Sequence, residues 1–110
     1  MSINKPVIDI EYATNLIGGD RAVVLELIHD FQQEIPAYLE KMNTEYQDEN
    51  FEQLVGTIHK LSGGAIYAGA TSIKQLSKEI EQKYKEQHQF DHDDYSKLLA
   101  LLTEAQVFQV

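Results

Sequence analysis

Apolar residues recur in this chain at steps of three and four, and almost nowhere at steps of two. The longest stripe runs through Val24, Leu27, Ile28, Phe31, Ile35, Leu39, Met42 and Tyr46. That is the period of an amphipathic α-helix, and no alternating run of useful length offers a strand instead. Only 2 prolines and 6 glycines punctuate the 110 residues, so the helices are expected to be long.

The punctuation places them. Ile10, Ala13, Leu16 and Ile17 suit a short first helix over Asp9 to Ile17, ended by Gly18-Gly19. Asp20 is positioned to cap the long second helix. Pro36 lies within it and predicts a kink, because the stripe continues in phase beyond it. Asp48-Glu49-Asn50 reads as a connector, and Asn50 with Gln53 resembles a capping box opening a third helix at Phe51. That helix carries Phe51, Leu54, Ile58, Leu61, Ala65 and Ala68, with Gly69 as its expected stop. Thr71 or Ser72 is expected to cap a fourth helix burying Ile73, Leu76, Ile80 and Tyr84. Gln87 to Asp94 is polar and reads as a loop. A last helix carries Tyr95, Leu98, Leu99, Leu102, Ala105 and Phe108. The expected fold is all-α: an antiparallel up-down four-helix bundle with a short extra N-terminal helix, one domain over residues 1–110.

Charge narrows the function. Nine basic against 18 acidic residues leave a net −9, which argues against nucleic acid as a partner, since phosphate backbones need clustered basic surface. There is no cysteine, which excludes disulfides, thiolate metal sites and cysteine nucleophiles. No apolar run reaches the roughly 18–20 residues of a membrane span, and Met1 to Pro6 holds no apolar leader core. We expect a cytoplasmic protein without membrane insertion. Met1 and the compact length suggest a free-standing one. The charge is also uneven: residues 1–50 are strongly acidic, 51–70 hold only Glu52 and Lys60, and 71–90 are slightly basic. A weakly charged middle suits a central helix, or a site that meets a negative partner.

The third helix is the informative one. At 100° per residue with Leu54 at zero, Ile58, Leu61, Ala65 and Ala68 centre the core face near about 20°. His59 falls at about 140° and is expected to be exposed. Gly56 and Gly63, three residues before it and four after, occupy the positions whose side chains would flank an imidazole. Each helix-interior glycine costs about 1 kcal/mol against alanine, so two around one histidine suggest a ring kept bare. Val55 and Ile66 would form an apolar rim beside it. On spacing alone, the histidine could equally be ordinary solvent-facing surface and the glycines could serve helix packing.

His59-Lys60-Leu61-Ser62-Gly63-Gly64-Ala65 resembles the signature of histidine-containing phosphotransfer (HPt) domains. That signature is a histidine, any residue, an aliphatic residue, commonly lysine, then glycine and two small residues. Gly18-Gly19-Asp20, the Phe31…Glu34…Pro36 segment, and Gly69-Ala70 followed by Leu76 and Glu79 also look like landmarks of that family, so the likeness spans about Asp9 to Leu102. It implies that His59 accepts a phosphoryl group from a receiver-domain aspartyl phosphate and passes it to another receiver. Its expected partners are response-regulator receiver domains and a hybrid sensor histidine kinase, with the chain itself a monomer. Mg²⁺ is expected on the receiver, so this chain needs no cofactor or metal site. Nothing resembles a phosphate-cradling loop, which argues against ATP binding and autonomous kinase activity. Ser62 departs from the family pattern by standing where lysine is common. The positive charge is then expected from Lys60, or partly from Lys74 or Lys78, with Ser62 or Lys60 donating to phosphoryl oxygens or orienting the ring.

His88 and His92, among Asp91, Asp93 and Asp94, imitate a weak metal site but read as a polar loop before a capped helix. His29 sits at the edge of the second-helix stripe. Tyr38, Tyr46, Tyr67 and Tyr84 fall at phases of core edges. The alternative function is a non-catalytic helical-bundle adaptor that binds a partner through Val55 and Ile66, with His59 incidental.

Overall fold

Four polar side chains set where helices begin in the computed structural model, which describes residues 6–109. Asp9 accepts the Tyr12 N–H at 3.0 Å and opens α1, Ile10–Leu16. Asp20 accepts from Val23 at 3.2 Å and opens α2, Arg21–Gln47. Asn50 accepts from Gln53 at 3.3 Å and opens α3, Phe51–Ala65. Asp91 accepts from Asp94 at 3.0 Å and opens α5, His92–Gln106. Each satisfies a first-turn donor that the helix cannot. The exception is α4, Thr71–Gln87, whose N-cap is Ala70 with no side-chain cap. Thr71 and Ser72, the expected caps, lie inside the helix. Ala70 is fully buried and its N–H is spent on the Ala65 carbonyl at 2.9 Å, so the cap position has no room for a polar side chain.

No strand occurs among the described residues. α2 lies against α3 and α5, α4 bridges α3 to α5, and α1 rests on α2. Ile28, Ile35 and Met42 of α2 meet Leu54, Ile58 and Leu61 of α3, Ile73 and Ile80 of α4, and Leu98 and Leu102 of α5 in one core. Each such side chain contributes about 1.5–3 kcal/mol on leaving water. Pro36 sits within α2, which continues unbroken to Gln47. Gln32 of α2 donates through Nε2 to the Ala105 and Phe108 carbonyls, at 3.1 and 2.7 Å, and so ties down the end of α5.

Several assignments need correction. Leu16 is exposed although it shares the α1 stripe, because α1 is short and only Ala13 of that helix is fully covered. Val7 and Ile8, ahead of α1, are buried instead. α3 stops at Ala65, and the chain then turns through Ile66 to Gly69. Gly69 ends that turn at φ +74, and a Cβ there would lie 2.3 Å from the Asp9 carbonyl oxygen. The Asp9 N–H in turn bonds the Gly69 carbonyl at 2.9 Å. Only glycine permits both that backbone angle and that approach.

The polar run before α5 is shorter than expected, since α4 reaches Gln87 and α5 starts at His92. Phe90 within it is buried among Tyr46, Phe51, His92 and Tyr95. Tyr67 is exposed rather than at a core edge, because it lies in the turn after α3. Met1 to Lys5, part of the segment read as lacking a leader, lie outside the described residues. Among the described residues, no helix is long and apolar enough to cross a membrane.

Candidate functional site

α3 is buried over a wider arc than its apolar stripe alone implies. Thr57, Ser62, Leu54, Ile58, Leu61 and Ala65 are all covered, because α2 packs on one flank of the helix and α4 on the other. His59 points out of the remaining gap with its side chain 74% exposed. Gly56 and Gly63 are exposed beside it, and a Cβ built on either meets nothing within 4 Å. The glycines are therefore not packing contacts. They leave the surface around the ring low.

α4 supplies a partner that sequence reasoning missed. Glu81 Oε1 lies 2.7 Å from His59 Nδ1, with the Glu81 side chain about three-quarters covered. A carboxylate only accepts, so this bond puts the ring proton on Nδ1 and leaves the Nε2 lone pair facing solvent. The ring is thus fixed in tautomer and orientation by a carboxylate. The signal was present in the chain: His59 and Glu81 are each eleven residues from Ala70. Residues equidistant from a tight helix–helix turn come to lie side by side.

The other expected site residues divide. Lys60 is exposed on the α2 side of His59, where it lines a cleft with Lys41, Glu45, Gln53, Gly56 and Thr57. Ser62 is a correction. It is 2% exposed, and its hydroxyl donates back to the His59 carbonyl at 2.8 Å. It faces the interior, because the buried arc extends past it to α4, and it is not free to donate to anything bound at Nε2. Val55 and Ile66 are half-buried, with Val55 packed on the core, so only part of the expected apolar rim is open surface.

Beneath the Lys60 cleft, Thr57 Oγ1 lies 3.0 Å from Glu45 Oε2 and 3.1 Å from the Gln53 carbonyl, one hydroxyl proton between two acceptors. The other oxygen of the buried Glu45 has no partner.

The remaining histidines have other surroundings. His29 is exposed on α2 beside Leu25, Glu26 and Asp30. His88 closes α4 in the left-handed conformation. His92 Nδ1 lies 2.7 Å from the Tyr46 hydroxyl, and the ring stands edge-on to Phe51 and Phe90. No group of three or more metal-ligating side chains occurs among the described residues.

Fold and site together define a helical domain that presents one bare histidine backed by a carboxylate. The Hpt domain family model matches residues 26–107, three-quarters of the chain, and the chain belongs to that family. Hpt domains are histidine phosphotransfer modules of two-component systems, not kinases, and they interact with the receiver domains of response regulators. The search of curated proteins found no match, and neither did the search of solved structures.

Proposed function

We propose that His59 is the phosphoacceptor and that the chain relays a phosphoryl group from one receiver-domain aspartyl phosphate to the aspartate of another. The observation that carries this reading is the bond from His59 Nδ1 to Glu81 on a side chain otherwise open to solvent. The Nε2 lone pair attacks phosphorus in line, the P–O bond to the receiver carboxylate breaks, and a P–N bond forms. The aspartate leaves with the electron pair. The proton stays on Nδ1, and the ring gains positive charge that the Glu81 carboxylate faces at 2.7 Å. Return transfer reverses these steps on a second receiver. Gly56 and Gly63 keep the approach open, and Lys60 supplies positive charge from the α2 side. Metal chemistry belongs to the receiver in this scheme.

The same reading takes α2 to α5 as an antiparallel up-down bundle, with α1 as a short addition, in one monomeric cytoplasmic domain. A hybrid sensor histidine kinase is the source of the phosphoryl group.

The test is incubation with a receiver domain carrying its aspartyl phosphate. Wild type should acquire acid-labile, base-stable label. His59→Gln should lose it while melting as wild type does. ATP and Mg²⁺ alone should label neither. Label on His29, His88 or His92 would overturn the site assignment, and stoichiometric self-labelling from ATP would overturn the relay. Receiver binding that neither labels the protein nor depends on His59 would favour an adaptor instead.

A further inference from the structure

Glu45 is a buried carboxylate that the phosphotransfer chemistry does not use. It is 7% exposed. Its Oε2 lies 3.0 Å from the Thr57 hydroxyl, whose single proton is shared with the Gln53 carbonyl. Its Oε1 has no partner at all. A buried acceptor without a donor is costly, and it marks a place where a donor from outside is accepted. Glu45 forms the wall of a cleft between α2 and α3 that Lys41, Gln53, Gly56, Thr57 and Lys60 complete. Gly56 keeps that cleft low, since a Cβ there would meet nothing within 4 Å. Lys41 and Lys60 are exposed, and neither has a carboxylate within 4.0 Å among the described residues. Lys41 precedes Glu45 by about one turn of α2, and Lys60 follows Thr57 by about one turn of α3. Both therefore stand on the side away from the connection between the two helices. The free groups of the cleft are two cations at one end and one acceptor about 5–6 Å along from them. The lysines do not close on Glu45, and their long flexible stems let them yield to an occupant.

We propose that this cleft binds a small zwitterion of the α-amino-acid class. Its ammonium group donates to Glu45 Oε1, and its carboxylate lies between the Lys41 and Lys60 ammonium groups. Two charged groups joined through one carbon, with a charge-assisted hydrogen bond of about 2.8 Å at each end, bridge that separation. A simple anion leaves Oε1 without a donor, and a simple cation leaves both lysines unpaired. The pattern therefore selects both charges in one molecule. The site goes beyond the relay reading and needs no step of it. Gly56 and Lys60, three residues before His59 and one after, place it on the α2 side of the approach to the ring.

The test titrates the intact, isotope-labelled protein with glycine as the probe, and with acetate and methylammonium as controls at matched ionic strength. Amide chemical shifts report binding, and melting curves check folding. Glycine should move the amides around Glu45 and from Gln53 to Lys60, with a Kd of about 1 mM, the range open to a ligand this small. Acetate and methylammonium should each bind about tenfold more weakly, or less. Glu45→Gln should weaken glycine about tenfold, and Lys41→Gln, at an exposed position that leaves folding untouched, about threefold to tenfold. Acetate binding as tightly as glycine would reduce the cleft to adventitious anion capture by surface lysines and overturn the proposal. Methylammonium binding as tightly would also overturn it, as would no shift up to about 50 mM glycine or a Lys41→Gln protein that binds glycine as wild type does. Phosphoryl transfer to His59 is measured separately with a charged receiver domain, so each of these failures leaves the relay reading standing.

Discussion

The same substitution should have opposite signs at two glycines six residues apart. Gly63 lies inside α3, exposed, with nothing within 4 Å of the position a Cβ would take. Gly63→Ala should therefore gain the helix-propensity difference, about 1 kcal/mol, and raise the melting temperature by roughly 4–6 °C. Gly69 has φ +74, and its Cβ would stand 2.3 Å from the Asp9 carbonyl oxygen. Gly69→Ala meets the left-handed penalty of about 1–2 kcal/mol, and it must also push the Asp9 backbone away or break its bond to Gly69. A total loss of about 2–4 kcal/mol follows. Gly63→Gln should fold at least as well as wild type, since its side chain enters open space, yet transfer from a receiver should slow about tenfold or more because the side chain obstructs the approach to His59. Thermal melts and transfer rates on the three variants decide it. A Gly63→Gln protein several kcal/mol less stable, transferring normally through its folded fraction, would mean that the glycine serves packing and would refute the argument.

Two further outcomes are expected. Ser77 is fully buried in α4 with an unpartnered hydroxyl, so Ser77→Ala should stabilise by about 1 kcal/mol in urea titration; a loss of that size would show that the hydroxyl has a partner. The Lys83 ammonium, helped by the Asp94 backbone N–H, holds the Asp91 carboxyl below its ordinary 3.8. A carboxyl lowered in the fold stabilises above its unfolded value and loses that contribution as pH falls through the folded one. Asp91→Asn keeps an N-cap acceptor but removes this charge, so its deficit against wild type should shrink between about pH 6 and pH 2.5; a deficit constant across that range would refute the assignment.

Local rules carried the helices. Asp20 and Asn50 cap where their side-chain chemistry says they should, and His59 is exposed as its helical phase requires. Features set by neighbouring helices were less legible. Ser62 lies about 60° from the centre of the α3 stripe, and only the flanking α4 decides that this is inside. Phe90 sits in a polar run and is buried by aromatic residues from three other stretches of chain. The cap of α4 failed as a sequence rule because its position is buried. Glu81 becomes legible once the turn between α3 and α4 is taken as a mirror, since the register then follows from counting.

The aromatic knot where the α2–α3 and α4–α5 connections meet gives this molecule a built-in optical probe. The chain has no tryptophan. Tyr46 stacks on Tyr95 with centroids 4.7 Å apart, and Phe51 stacks on Phe90 at 4.9 Å. Coupled, asymmetrically held rings of this kind dominate near-ultraviolet circular dichroism, a signal that vanishes when fixed packing is lost. Phe51 begins the helix that carries His59, about 12 Å along its axis. Chemistry at the histidine can thus be followed alongside an unlabelled spectroscopic readout of whether the far end of its own helix stays seated.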